Sequence, residues 1–175
     1  MIARKQIKRH GSLSAVLASS RQTASPDAVT AHLGTVQDAL AVAARGTLSS
    51  APIIGTSEHA ALFLMVTMAG LSVEHLRVLF LNTKNRLIAE EDFGRGTIDQ
   101  APIFPREVIK RALEIGAASV IVAHNHPSGE PKPSRQDIAI TKQLIAGGNA
   151  LNIAVHDHFI IASSGWISLR AEGLI

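Results

Sequence analysis

Apolar and polar residues follow two periods along this chain, and the period separates helix from strand. From Asp27 to Arg45 the apolar positions Val29, Leu33, Val36 and Leu40 recur at i, i+4, i+7 and i+11, the spacing of one helical face. Pro26 lies near the first turn of this helix and Gly46 is its predicted stop. The stretch "GTLSSAPIIGTS" then reads as a linker. Thr56 or Ser57 is placed to cap a second helix, "SEHAALFLMVTMAG", with Gly70 at its end. "EHLRVLFLN" is short, apolar and rich in large side chains, so it predicts a buried strand, and "RLIAEEDF" returns after the turn "NTKN". "PREVIKRALEIG" restores the helical period, with Val108, Ile109, Leu113 and Ile115 placed to cover a sheet. "ASVIVA" is a continuous apolar strand, and "SRQDIAITKQLIAGG" is a further helix. "LNIAVHDHFIIAS" and "WISLR" form a closing hairpin around "SSG".

The order after the first helix is helix–strand–strand–helix–strand–helix–strand–strand. It predicts an α/β fold with a mixed β-sheet flanked by helices. At 175 residues the chain can bury a sizeable core. No apolar run reaches the ~18 residues of a membrane span, so no membrane partner is expected. "MIARKQIKRHGS" carries no apolar stretch of the secretory kind, and the absence of Cys fits a cytoplasmic protein. Charge changes the picture once it is divided. Arg4, Lys5, Lys8, Arg9 and Arg21 precede Asp27, the first acid, which leaves 12 basic against 14 acidic residues downstream. Any attraction to nucleic-acid phosphate would therefore have to come from the amino-terminal arm or a local patch.

The candidate chemistry sits in "VIVAHNHPSGEPKPSRQDIAIT", Val120 to Thr141. His124 and His126 leave an extended backbone on the same side and can offer two imidazole nitrogens to a metal. Pro127, Pro131 and Pro133 stiffen the following loop. Asp137, in the first turn of the next helix, would complete a His-His-Asp set with a fourth position open, the pattern of catalytic zinc. Ser134 and Asp137 equally match a capping box, which needs no function. The two duties are compatible in one carboxylate.

"HNHPSGEPKPSRQD" resembles the JAMM (MPN+) metallopeptidase signature. "EHLRVLFLNTKNRLI", "GRGTIDQAPIFPREVIKRALEIGA" and "LNIAVHDHFII" resemble the bacterial RadC family over roughly residues 50 to 175. The resemblance implies a cytidine-deaminase-like (JAMM/MPN) fold with Zn2+ held by His124, His126 and Asp137. It implies that Ser134 hydrogen-bonds the attacking water or the developing oxyanion, and that Glu74 is the general base. Glu90 and Glu91 are the runners-up for the base, and Glu114 reads as a helix-surface charge. The resemblance also suggests Asp157 and His158 as site-lining residues, and Arg95 and Thr97 as part of a substrate groove.

By the same resemblance, residues 1–50 would be a basic arm and a degenerate helix-hairpin-helix remnant, a short helical N-terminal extension in which Gly34 alone stands where a Gly-x-Gly hairpin is expected. Residues 51–175 would be the RadC-like JAMM/MPN domain. The expected activity is zinc-dependent hydrolysis of peptide or isopeptide amides, with a peptide or protein as substrate. The rival expectation is a DNA-repair or DNA-associated factor binding nucleic acid through the arm.

Overall fold

The computed structural model describes residues 28–50, 57–95 and 104–175. Helix α1 spans Ala28–Ser50, α2 Ser57–Met68, α3 Pro105–Glu114 and α4 Arg135–Ala150. Strands β1 (His75–Leu81), β2 (Leu87–Arg95), β3 (Ser119–His126), β4 (Ala154–Ala162) and β5 (Gly165–Ser168) form one sheet in the order β2-β1-β3-β4-β5. Three neighbouring pairs are antiparallel and β3–β4 is parallel, so the sheet is mixed. A parallel pair needs a crossover, and α4 supplies it.

Each face of the sheet is covered. Ala60, Ala61, Phe63, Leu64 and Met68 of α2 pack on Leu79, Leu81, Ile121, Ala123, Phe159 and Ile161. On the opposite face, Val108 and Ala112 of α3 and Leu144 of α4 pack on Leu76, Val78, Phe80, Val120 and Val122. Burial of one such Leu, Ile or Phe contributes about 1.5–3 kcal/mol. The α4 crossover delivers its first turn to the carboxyl end of β3, where open α/β sheets commonly place their chemistry.

Two helices depart from their predicted faces. α1 continues through Gly46 to Ser50, and it turns Gln37, Ala41 and Ala44 inward while Val36 and Leu40 stay exposed. Gln37 Nε2 donates to Val66 O at 2.7 Å. Small side chains let α1 approach α2 closely, and the amide bonds an α2 carbonyl near that helix's end. Arg45 then ties α1 to β2 through Glu90 and lies over the Phe63 ring at 5.5 Å. In α3, Ala112 is buried in place of Leu113, which is 54% exposed; Val108 and Ala112, four apart, define the inward stripe. The basic arm, Pro26, Thr56 and Thr97 lie outside the described residues.

Candidate metal centre

β3 extends through both histidines, so their backbone is held by neighbours on either side. His124 pairs with Leu76 of β1 and with Ile160 of β4. Alternation then sends His124 and His126 to the α3/α4 face, while Asn125 points away. Asn125 is buried and accepts from His75 N at 2.8 Å while donating to Val73 O at 3.0 Å. It thereby clamps the chain on both sides of Glu74, which is half-buried immediately before β1. Glu74 thus sits two residues from the partner of His124, at the same end of the sheet.

The loop after β3 turns at once. Gly129 has a φ of 89°, a conformation that favours glycine. Its N–H donates to His126 O, and its carbonyl accepts from Ser164 N and Oγ in the β4–β5 turn. Glu130 O lies 3.0 Å from His126 Nδ1. A carbonyl can only accept, so Nδ1 carries the proton and Nε2 of the neutral ring keeps its lone pair.

Ser134 caps α4. Its Oγ accepts from Asp137 N at 3.1 Å, and Asp137 Oδ2 accepts from Ser134 N at 2.7 Å, both halves of a capping box. Ser134 Oγ also donates to Asp137 Oδ2 at 2.7 Å. The cap engages Oδ2 and turns Oδ1 toward the histidines, 3.5 Å from His124 Nε2. His126 Nε2 lies 4.0 Å from Oδ2, and the two Nε2 atoms are 2.8 Å apart. One ligand atom from each of His124, His126 and Asp137 falls within 4.8 Å of the others. Two nitrogens and one carboxylate oxygen are a donor set that fits a divalent cation of the zinc type.

Burial favours neutral rings here. His124 is pushed down to about 4, chiefly by desolvation; Asp137 opposes the shift and His126 adds to it. His158 is lowered well below its ordinary value, first by burial and then by the two neighbouring histidines. Neutral imidazole is the metal-binding form.

His158 joins the site: its Nε2 lies 2.8 Å from His124 Nδ1 and its Nδ1 lies 2.6 Å from Thr141 Oγ1. Asp157 does not. It accepts from His158 N, Ser168 Oγ and Arg170 N, on the sheet's other side. The cause is a bulge in β4: Val120 pairs with Val155, but Ile121 pairs with Asp157. The extra residue, His156, reverses the alternation and gives His158 the face Asp157 would otherwise occupy. Thr141 carried no signal in the sequence, since it reads as an ordinary helix residue. The runner-up bases are engaged elsewhere: Glu90 pairs with Arg45 and Arg77, and Glu91 with Arg111, which also pairs with the helix-surface Glu114. Arg95 ends β2, its backbone paired with His75.

The chain is similar to known proteins over most of its length. Residues 54–174 match the RadC-like JAB domain family. A UPF0758 protein of Rhodobacter capsulatus is 40% identical over 179 aligned residues, covering 99% of this chain and 84% of that protein. A UPF0758 protein of Ruegeria pomeroyi is 50% identical over 109 residues, covering 62% of this chain and 49% of that protein. Five strands in a mixed sheet, flanked by four helices among the described residues, are consistent with the JAB/MPN α/β fold. No described helix is long and apolar enough to cross a membrane.

Proposed function

The chain belongs to the bacterial RadC family, with a RadC-like JAB domain, and on that premise we propose that it is a zinc-dependent hydrolase of JAMM type acting on peptide or isopeptide amides. The observation that carries the reading is the pair of imidazole Nε2 atoms 2.8 Å apart with a carboxylate beside them. In this reading His124, His126 and Asp137 hold the ion, and the substrate is a peptide or protein. A divalent ion so held supplies Lewis acidity, polarising a carbonyl and making water nucleophilic near neutral pH.

The chain's own groups supply the rest. Glu74 takes the proton of the attacking water and returns it to the leaving amine, a contribution typically worth about 10²–10⁴-fold. Asn125 keeps the Glu74 segment against the end of β3 through His75 N and Val73 O. Ser134 has one proton, directed at Asp137 Oδ2; rotated toward the substrate it would donate to the developing oxyanion, typically worth about 2.7–4 kcal/mol. The reading divides the chain at residues 50 and 51, with catalysis in residues 51–175 and a cytoplasmic setting. The nucleic-acid alternative rests on the basic arm, outside the described residues, so amide hydrolysis is carried forward.

Purified full-length protein is expected to hold about one zinc per chain and to cleave members of a peptide and isopeptide panel. Glu74→Gln is expected to retain zinc and lose cleavage. Failure of the wild type to bind zinc, or unchanged cleavage by Glu74→Gln, overturns the proposal.

A further inference from the structure

Three side chains behind the two outward nitrogens form a continuous hydrogen-bonded line. Thr141 Oγ1 lies 2.5 Å from Asp137 O, its own i−4 carbonyl. Two oxygens that close need a hydrogen between them, and the carbonyl has none to give. The single hydroxyl proton of Thr141 is therefore spent on Asp137 O, in the usual manner of a helical threonine. Thr141 Oγ1 can then only accept from His158 Nδ1, 2.6 Å away. With its proton at Nδ1, the neutral and fully buried His158 presents a bare Nε2. That nitrogen lies 2.8 Å from His124 Nδ1 and accepts its proton. His124 is left with a bare Nε2, aimed at the equally bare Nε2 of His126.

We infer that Thr141 and His158 are positioning residues that set the tautomer of His124, so that its Nε2 lone pair is presented to a divalent cation. This rests on the metal-site reading of His124, His126 and Asp137, and it adds two residues that do not touch the ion. Two facing lone pairs at 2.8 Å repel, and a cation between them relieves the repulsion. Were the Thr141 proton turned instead to His158, every proton in the line would shift by one place. His124 would then carry its hydrogen at Nε2, pointed at His126, and the nitrogen pair would be satisfied with no ion. The short Thr141–Asp137 contact disfavours that alternative. Asp137 consequently acts at both ends, its carboxylate reaching the site and its carbonyl anchoring the line behind it.

The test compares Thr141→Val, which keeps the shape and removes the hydroxyl, with Thr141→Ser, which restores it. Zinc affinity is read by competition with a chromophoric chelator on full-length protein, with folding checked by thermal unfolding. Thr141→Val is expected to weaken zinc binding about 10–100-fold, the usual cost of losing an outer partner of a ligating histidine. Thr141→Ser is expected to recover most of that loss. A second measurement needs no metal: nitrogen-15 NMR of the imidazoles in chelator-treated protein. The wild type is expected to show His124 and His126 both protonated at Nδ1, and Thr141→Val to change His158 and His124 together while leaving His126 as it was. Wild-type zinc affinity in a folded Thr141→Val, or a wild-type His124 protonated at Nε2, overturns the inference. If the wild type binds no zinc the hydrolase reading fails, and the NMR measurement decides the proton line by itself.

Discussion

An Asp137→Asn substitution preserves the shape of the side chain and one accepting oxygen but removes its charge, separating the helix cap from the metal site. The carboxylate is 17% exposed and accepts at Oδ2 from Ser134 N and Oγ, each at 2.7 Å. An asparagine oxygen can still accept from Ser134, so the loss to stability is the charge's share. That share is about 0.3–1 kcal/mol from the α4 dipole and about 1 kcal/mol from the weaker hydrogen bonds. At roughly 2–4 °C per kcal/mol for a chain of this size, Tm of chelator-treated protein is expected to fall by about 2–8 °C. Zinc affinity has no such cushion. Oδ1 is the oxygen facing His124 Nε2 at 3.5 Å, and losing a direct anionic ligand should exceed the ~10–100-fold cost of an outer partner. Thermal unfolding without metal and chelator competition with zinc read the two effects separately. Zinc affinity that survives Asp137→Asn would leave the carboxylate a cap and nothing more. A fall in Tm well beyond ~10 °C would mean that the capping account of α4 is wrong.

Three further outcomes follow from named contacts. His124 is held to about 4 against an ordinary 6.5, mainly by burial, so the unfolded chain takes up the proton first. In metal-free protein this contribution to stability is whole above ~6.5 and is lost as pH falls toward ~4, by about 1.4 kcal/mol per pH unit for each such ring. His158, also lowered, acts in the same direction. Urea midpoints that stay flat from pH 6.5 to 5 would contradict it. Asn125→Ala should cost about 1–3 kcal/mol for the buried His75 N left unpaired, and less for the half-buried Val73 O, and should lower cleavage more than zinc affinity, because the clamp holds the Glu74 segment. Gly148→Ala would place a Cβ 2.5 Å from Ile153 O, a backbone atom that cannot swing aside. A loss of about 1–3 kcal/mol in chemical denaturation is expected, and an unchanged midpoint would show that the α4–β4 connection yields freely.

Local pattern was enough for much of this protein. The element order, the extended backbone under His124 and His126, and the cap at Ser134 and Asp137 depend on neighbours within a few residues. Periodicity and spacing report such neighbours directly. The inward face of α1 was not legible, because Ala41 and Ala44 are weak apolar signals and Gln37 is buried by a carbonyl on another helix. Nor was the choice between Asp157 and His158. That depends on one extra residue in β4, visible only once β4 is paired with β3, and a single such residue reverses every later side chain on the strand. The proton line through Thr141, His158 and His124 is likewise tertiary. It joins residues 17 and 34 positions apart, and a tautomer is decided by what each ring nitrogen meets in space. Sequence order carries no record of that meeting until the strands are laid side by side.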